Sequence, residues 1–170
     1  MLGSNREDGR DGPFVEYVAA FRPRLYRTAY LLCGDAHRAE DLVQVALSKA
    51  YVAWPRLERA GNVDAYVRRI LANAHVDDTR RGWRRERPGL VTDRVAPPPD
   101  DEGNEELWAA LRALAPGQRR IVVLRHYWGL SVEETAADLG ISPGTVKSQT
   151  AAALAHLRRA LSSTENRSRS

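Results

Sequence analysis

A proline-rich, acidic segment divides this 170-residue chain into two parts. Residues 93–106, DRVAPPPDDEGNEE, contain three consecutive prolines (Pro97 to Pro99), which exclude a regular helix and favour an extended polyproline conformation. The same segment holds six acidic residues and one arginine, so its local charge is 1 − 6 = −5. No apolar periodicity crosses it. We therefore interpret residues 88–104 as a linker between two small domains.

The composition excludes several classes of protein. Hydrophobic residues make up 43% of the chain, which is enough for packed cores. The single cysteine, Cys33, excludes an intramolecular disulfide framework and every multi-cysteine zinc module. The apolar runs are too short for a membrane span, and the polar start lacks the apolar stretch of a signal peptide. We expect a soluble, cytoplasmic protein with no membrane insertion.

The basic residues are concentrated on either side of the linker. Lys and Arg number 26 against 22 Asp and Glu, so the net charge is only +4. Residues 67–87 alone carry seven arginines and three acids, a balance of 7 − 3 = +4. Residues 141–161 contain Lys147, Arg158 and Arg159 and no acid. This distribution favours contact with nucleic acid at two places.

The first part, residues 13–87, predicts helices throughout, after a flexible N-terminus at residues 1–12. Strand-type alternation is absent, and runs of β-branched residues are short. Pro23 is expected to break or restart the first helix. That helix is indicated by apolar residues at helical spacing: Phe14, Val18 and Phe21.

Two further helices are predicted in the same domain. Gly34 suits a left-handed cap at the end of the first helix, and Asp35 suits the N-cap of the second. Pro55 is expected to end the second helix. That second helix carries an apolar stripe of Ala39, Leu42, Val43, Ala46, Leu47, Ala50, Tyr51 and Trp54. The third helix begins near residues 62–64. One face of it is apolar (Val67, Ile70, Leu71 and Ala74) and the other polar (Arg68, Arg69, Asn73, Asp77 and Arg80).

The second part, residues 105–161, predicts a further all-helical domain, followed by a flexible tail at residues 162–170. Its first helix is expected at Glu105 to Leu114. The inward residues of that helix are predicted to be Leu107, Leu111 and Leu114. The next helix is expected from Gln118 to Trp128, with Gly129 ending it.

A helix-turn-helix follows. Ser131 and Glu134 form an S-x-x-E capping box, and Gly140 supplies a turn after the short helix. Ser142 caps the next helix with Pro143 at its first position, a favoured arrangement. The residues expected to pack inward are Ala136, Leu139 and Val146. The second helix of such a motif usually enters the major groove of DNA.

The N-terminal residues of that second helix suit base reading. Thr145, Lys147, Ser148 and Gln149 supply hydrogen-bond donors and acceptors with little bulk. The alternative is a structural helical hairpin, because Ala-x3-Gly followed by Val is a common pattern. The capping box, the Ser-Pro start and the acid-free helix together favour DNA contact. A simple repressor or activator remains open at this point.

Three longer stretches resemble bacterial RNA polymerase sigma factors. AEDLVQVALSKAYVAW (39–54) resembles sigma region 2.2, and AYVRRILANAHVDDTRR (65–81) resembles regions 2.3–2.4. LAPGQRRIVVLRHYWGLSVEETAADLGISPGTVKSQ (114–149) resembles regions 4.1–4.2. The large region 1 and the folded region 3 of primary sigma factors have no counterpart. The pattern is therefore similar to the extracytoplasmic-function (ECF) group, in its actinobacterial form.

The resemblance implies core RNA polymerase as a partner. Region 2.2 of the family docks on the β′ coiled-coil, and region 4 meets the β flap. The matching residues here are Asp41, Leu42, Gln44 and Leu47. Leu42 and Leu47 have plain core packing as an alternative, whereas Asp41 and Gln44 lie off the apolar stripe. Val45 departs from the family, which commonly has an acid at this position.

The resemblance also implies promoter DNA as a partner, with an anti-sigma factor as a further one. Residues matching the family's −10 contacts, where bases are unstacked and held out, are Asn62, Arg68, Arg69, Asn73 and Asp77. Residues matching its −35 contacts are Thr145, Lys147, Ser148, Gln149, Ala151 and Ala152. Many relatives carry Arg at the positions of Gln149 and Ala152. The acidic linker corresponds to the segment that threads the RNA-exit channel, with a disordered tether as the alternative.

Catalysis finds no support in the sequence. His37, Glu40 and Asp41 could be imagined as a metal or acid–base cluster. However, His37 lies one turn from Glu40 with no third ligand at metal spacing, and a surface at the start of a helix explains it better. No Walker loop or G-x-S-x-G motif is present. We expect no enzyme activity, cofactor, metal or small-molecule substrate. The competing functions are a helix-turn-helix regulator that works without polymerase and an anti-sigma-type interaction protein.

Overall fold

The structure, a computed structural model, describes residues 4–83 and 105–168, with side chains described for residues 11–74 and 105–163. The predicted linker at residues 88–104 lies outside the described ranges. Seven helices and one π-helical turn (Val123–Tyr127) occupy these ranges, and no strand is found there. The helices are α1 (Ser4–Cys33), α2 (Ala36–Ala60), α3 (Val63–Trp83), α4 (Glu105–Ala113), α5 (Pro116–Val122), α6 (Val132–Leu139) and α7 (Pro143–Ser168). The all-α prediction is confirmed.

The predicted boundary between α1 and α2 is confirmed. Gly34 adopts φ +70°, a left-handed conformation in which a side chain would be strained. The Asp35 carboxylate then accepts a hydrogen bond from the Arg38 backbone N–H at 2.9 Å, as an N-cap does. The predicted apolar stripe of α2 packs between α1 and α3. Its buried residues are Ala39, Leu42, Val43, Ala46, Leu47, Ala50 and Trp54, whereas Tyr51 is only half-buried.

The prolines do not end the helices, contrary to the sequence prediction. Helix α1 continues through Pro23, and α2 continues through Pro55 to Ala60. An internal proline costs about 3 kcal/mol of helix stability, so tertiary packing must offset it. Buried side chains stand close to each proline and supply that packing, with Leu25 after Pro23 and Trp54 beside Pro55.

The first helix of the second domain is rotated relative to the prediction. Leu107 is 37% exposed, and Trp108 is buried in its place. Trp108 packs edge-on against Tyr30 of α1, with 4.8 Å between the ring centroids. This contact with the first domain places Trp108 on the buried face of α4, together with Leu111. Leu111 and Leu114 are buried as predicted.

The next helix also differs in its bounds. It begins at Pro116, since proline suits the first helical position, and gives way to the π-helical turn at Val123. Gly129 ends the segment with φ +73°, as predicted.

The helix-turn-helix is confirmed in its details. Ser131 and Glu134 form a reciprocal capping box, and Gly140 turns the chain with φ +65°. The Ser142 hydroxyl accepts a hydrogen bond from the Thr145 backbone N–H at 3.1 Å. Val146 is fully buried in a small apolar cluster with Ile121 and Ala136. This packing fixes the angle at which α7 leaves the turn.

Both ends of the described chain lie in helices. Helix α1 begins at Ser4, so it includes most of the predicted N-terminal segment. Helix α7 runs to Ser168 and thereby takes in most of the predicted tail. None of the described helices is long and apolar enough to cross a membrane.

The two domains pack directly on one another. One apolar cluster includes buried residues of both, among them Leu25 of α1 and Leu157 of α7. The Arg119 guanidinium of α5 donates to the Leu32 carbonyl at the end of α1 at 2.9 Å. It also donates to carbonyls around the end of α4, those of Leu111, Arg112 and Leu114. Burial lowers the pKa of Arg119.

The capping box supports a stability prediction. Ser131→Ala removes the hydroxyl that satisfies the Glu134 N–H, so we expect the free energy of unfolding to fall by about 1 kcal/mol. Urea denaturation followed by circular dichroism measures this loss. Ser163→Ala is the matched control, because the exposed Ser163 hydroxyl donates only within α7. Equal midpoints for both variants would contradict the predicted contribution of the cap.

The same box predicts a pH dependence. Hydrogen bonds from Ser131 lower the pKa of Glu134 from its ordinary value of 4.5. Its contribution is therefore complete above the unfolded-state pKa and is lost as the pH falls through the folded-state pKa. Glu134→Gln keeps an acceptor but cannot titrate, so the acid-side loss of stability should shrink in this variant. An unchanged acid limb would refute this assignment.

Candidate nucleic-acid interface

The start of α7 presents a small, polar, basic surface. Lys147, Ala151 and Ala152 are exposed on it, as the sequence predicts. Thr145 and Ser148 are exposed but already bonded: the Thr145 hydroxyl lies 2.9 Å from that of Ser142, and Ser148 donates to the Thr145 carbonyl at 3.1 Å. Lys147 is thus the extended donor on a surface of short side chains, which allows close approach to a groove.

Gln149 is held by a residue that sequence reasoning missed. Its side-chain oxygen accepts a hydrogen bond from the Gln118 amide of α5 at 3.1 Å, and it is half-buried. The two residues are 31 positions apart, so no local pattern reveals the pair. Gln149 is therefore less free to reorient than Lys147.

The four predicted docking residues of α2 fall into two groups by their exposure. Asp41 and Gln44 are exposed, whereas Leu42 and Leu47 are buried in the core. The outer face of α2 also exposes apolar side chains, with Val45 43% and Val52 79% exposed. The sequence identified Val45 only as a departure from the family and did not single out Val52.

The predicted −10 residues lie at the start of α3 and along it, and they differ in their exposure and contacts. Asn62 and Asn73 are exposed, at the start of α3 and along it. The Asp77 side chain lies outside the described side chains. The start of α3 is fixed by Tyr17 of α1, whose hydroxyl donates to the Asp64 carboxylate at 3.1 Å. Burial, and then the Asp64 charge, raise the pKa of Tyr17.

Arg68 and Arg69 both contact the second domain. Arg68 Nε donates to Asp138 Oδ2 at 2.6 Å, and Arg69 Nε donates to Asp138 Oδ1 at 2.8 Å. The Asp138 side chain, on the first helix of the helix-turn-helix, is only 2% exposed. Sequence reasoning missed Asp138, because nothing near it in the chain indicates a partner 69 or 70 residues away.

Trp128 extends this contact between the domains. Its indole N–H donates to the Thr28 hydroxyl of α1 at 3.0 Å. The Arg24 guanidinium stands over its ring at 4.0 Å from the centroid, and that of Arg68 at 5.2 Å. Cations over an indole face are attracted by its quadrupole. Arginines of the first domain thus contact both Trp128 and Asp138 of the second.

The described residues include no group of His, Cys, Asp or Glu suited to hold a metal ion. Cys33 is half-buried, and its thiol donates a hydrogen bond to the Asp35 carbonyl oxygen at 3.3 Å.

Two family models match the chain in sequence order. The model of sigma-70 region 2 matches residues 17–85, and that of sigma-70 region 4 matches residues 104–157. The first match covers most of α1, α2 and α3. The second covers α4 to α6 and the first half of α7, including the helix-turn-helix.

Relatives with curated names are similar over most of the chain. It is 42% identical over 156 residues to an RNA polymerase sigma-E factor of Streptomyces coelicolor, covering 87% of this chain and 85% of the relative. It is 37% identical over 153 residues to the ECF RNA polymerase sigma factor ShbA of Streptomyces griseus, covering 81% and 77%.

A solved structure shares the fold. The sigma factor RpoE of Bartonella quintana, crystallised in complex with the anti-sigma factor NepR, superposes with a TM-score of 0.76 at 30% identity. The match covers 88% of this chain and 97% of that one. Two family regions in the expected order, with relatives of this similarity over most of both chains, place the chain in the sigma-70 family of RNA polymerase sigma factors, in its ECF group.

Proposed function

We propose that this chain binds core RNA polymerase through the outer face of α2 and directs it to promoters. In this proposal α3 contacts the −10 element and the start of α7 contacts the −35 element. The observation that supports it is the pair of family regions, folded as two helical domains that expose polar residues such as Asp41, Asn73 and Lys147. The protein is a transcription initiation factor, and catalysis belongs to the polymerase.

The exposed positions refine the docking surface. Asp41 and Gln44 supply polar contacts, and Val45 and Val52 supply exposed apolar area beside them. Leu42 and Leu47 act from inside by holding α2 against the core. An apolar side chain at position 45 replaces a charged contact by burial of surface, which is less sensitive to salt. In this proposal the chain works in the cytoplasm, where core polymerase and promoter DNA are found.

The first test changes the docking surface. Asp41→Ala combined with Gln44→Ala should weaken binding of core polymerase by about tenfold, the effect of losing about 1.4 kcal/mol of interface energy. The loss is measured by titrating labelled variant with core enzyme. Both side chains are exposed, so the unfolding midpoint should not change.

Glu16→Ala is the matched control, since it removes an exposed acid from α1. It should leave the affinity unchanged. A double variant with wild-type affinity would remove the docking assignment. A chain that binds duplex DNA without polymerase and never binds core would instead favour the polymerase-independent regulator.

The second test addresses Lys147. Lys147→Ala should reduce transcription by holoenzyme from templates with the cognate −35 sequence, by about fivefold to 160-fold if one base contact of 1–3 kcal/mol is lost. Templates with a scrambled −35 element should be little affected. Arg159→Ala removes the same charge from the far half of α7 and serves as the comparison. An equal loss on every template would make Lys147 a phosphate contact.

A further inference from the structure

The six residues predicted to contact the −35 element differ in how much base sequence each can read. Two of them are alanines, which offer only methyl groups. The hydroxyls of Thr145 and Ser148 are already hydrogen-bonded near the start of α7. Lys147 carries a point charge on a flexible stem. Gln149 is therefore the member of this set with a planar hydrogen-bonding group, in which donor and acceptor point in different directions.

Gln149 is held in one orientation by Gln118. The Gln118 side-chain amide donates to Gln149 Oε1 at 3.1 Å, and both side chains are half-buried. Helix α5, which carries Gln118, packs against α7 through Ile121 and Val146, so the donor stands on a fixed element. The hydrogen bond uses the Gln149 oxygen and leaves the amide nitrogen, with its two N–H donors, to a ligand.

The orientation of Gln149 depends on this hydrogen bond rather than on close packing. A cavity of about 320 Å³ opens beside the pair, and its lining includes both glutamines, Thr145 and Ile141. This space allows the Gln149 amide to turn once its oxygen is released. Loss of the Gln118 donor should therefore free the amide without displacing the backbone of α7.

The end of the amide that meets a base determines which base it reads. In the major groove guanine presents two acceptors, N7 and O6, whereas adenine presents one acceptor and one donor, and cytosine only a donor. An amide that offers its two N–H donors matches guanine. An amide that is free to turn can also offer its oxygen, and it then matches adenine through two hydrogen bonds.

We propose that Gln118 is a positioning residue that sets the base preference of the helix-turn-helix. By holding Gln149 Oε1, it makes the Gln149 amide a donor that reads guanine at one base pair of the −35 element. This inference rests on the proposed function, which assigns the −35 contact to the start of α7. Gln118 acts through Gln149 and has no contact of its own with the DNA bases.

The first measurement tests the orientation in the free, full-length chain. The sequence contains three glutamines, so ¹⁵N labelling of glutamine side chains gives three NH₂ groups, with exposed Gln44 as the internal reference. Hydrogen exchange of the Gln118 NH₂ should be about fivefold slower than that of Gln44, the effect of one hydrogen bond. Gln149→Leu should abolish this protection. Equal exchange of Gln118 and Gln44, or protection of the Gln149 NH₂ instead, would overturn the proposal.

The second measurement is base preference. Holoenzyme assembled from core polymerase and each variant transcribes barcoded templates in which one −35 position at a time carries each of the four bases. The parent should favour guanine at one position. Gln118→Leu keeps the bulk but removes the donor, so the ratio of guanine to adenine templates used at that position should fall about fivefold.

Gln118→Glu provides a second route to the same result. The introduced carboxylate only accepts, so it should bind the Gln149 nitrogen and turn the Gln149 oxygen outward. Preference should then move from guanine toward adenine and cytosine, whose exocyclic amino groups donate. The added negative charge lowers transcription from all templates alike and leaves their ratios unaffected.

A double-mutant cycle separates positioning from direct contact. In a Gln149→Leu background, Gln118→Leu should cause no further change in base preference, because the residue through which it acts is gone. A shift that persists in this background would make Gln118 a base contact and overturn the proposal. A uniform loss on every template, together with a lower urea midpoint, would assign Gln118 a purely structural role and overturn it as well.

The same experiment distinguishes this inference from the proposed function. Promoter-specific transcription by the parent, with the same base profile in both Gln118 variants, refutes the positioning role alone. Transcription that is no more promoter-specific with the chain than without it refutes the proposed function. The role in base reading then fails with it, even if hydrogen exchange shows the glutamine pair.

Discussion

Burial of one carboxylate between two arginines fixes how the two domains of this sigma factor meet. Asp138 is almost fully removed from water, and an unpaired charge there would cost several kcal/mol. Its partners Arg68 and Arg69 are adjacent on α3, so α6 is held in one position along that helix. A similar constraint acts at the other end of the interface, where Arg119 of α5 donates to the Leu32 carbonyl of α1.

In the interface between the two domains, the apolar contacts bury surface, and the polar contacts fix the relative position of the two domains. Tyr30 and Trp108 meet across the domains within one continuous apolar cluster. Burial of such groups is favourable but does not depend on direction, so it tolerates sliding and rotation. Hydrogen bonds do not, and that of Trp128 to Thr28 adds a further fixed point. This mixture of contacts holds the two domains in one relative position.

Local features were predictable from the sequence, and features set by distant contacts were not. The Asp35 cap, the Ser131–Glu134 box and the apolar stripe of α2 each depend on residues within a few turns of one another. The same stripe predicted that Asp41 and Gln44 are exposed. The passage of α1 through Pro23 and the burial of Arg68 depend on partners elsewhere in the fold. Gln118 and Asp138 were missed for the same reason, since their partners lie 31 and about 70 residues away.

If this chain is a sigma factor in action, it makes core RNA polymerase begin transcription at defined promoters. Purified core enzyme, with and without the chain, can be given fragments of the genomic DNA of the source organism, and transcript 5′ ends can then be mapped. We expect discrete start sites that require the chain and share upstream elements near −10 and −35. Start sites identical with and without the chain, although it is folded and monodisperse, would show that it does not direct initiation.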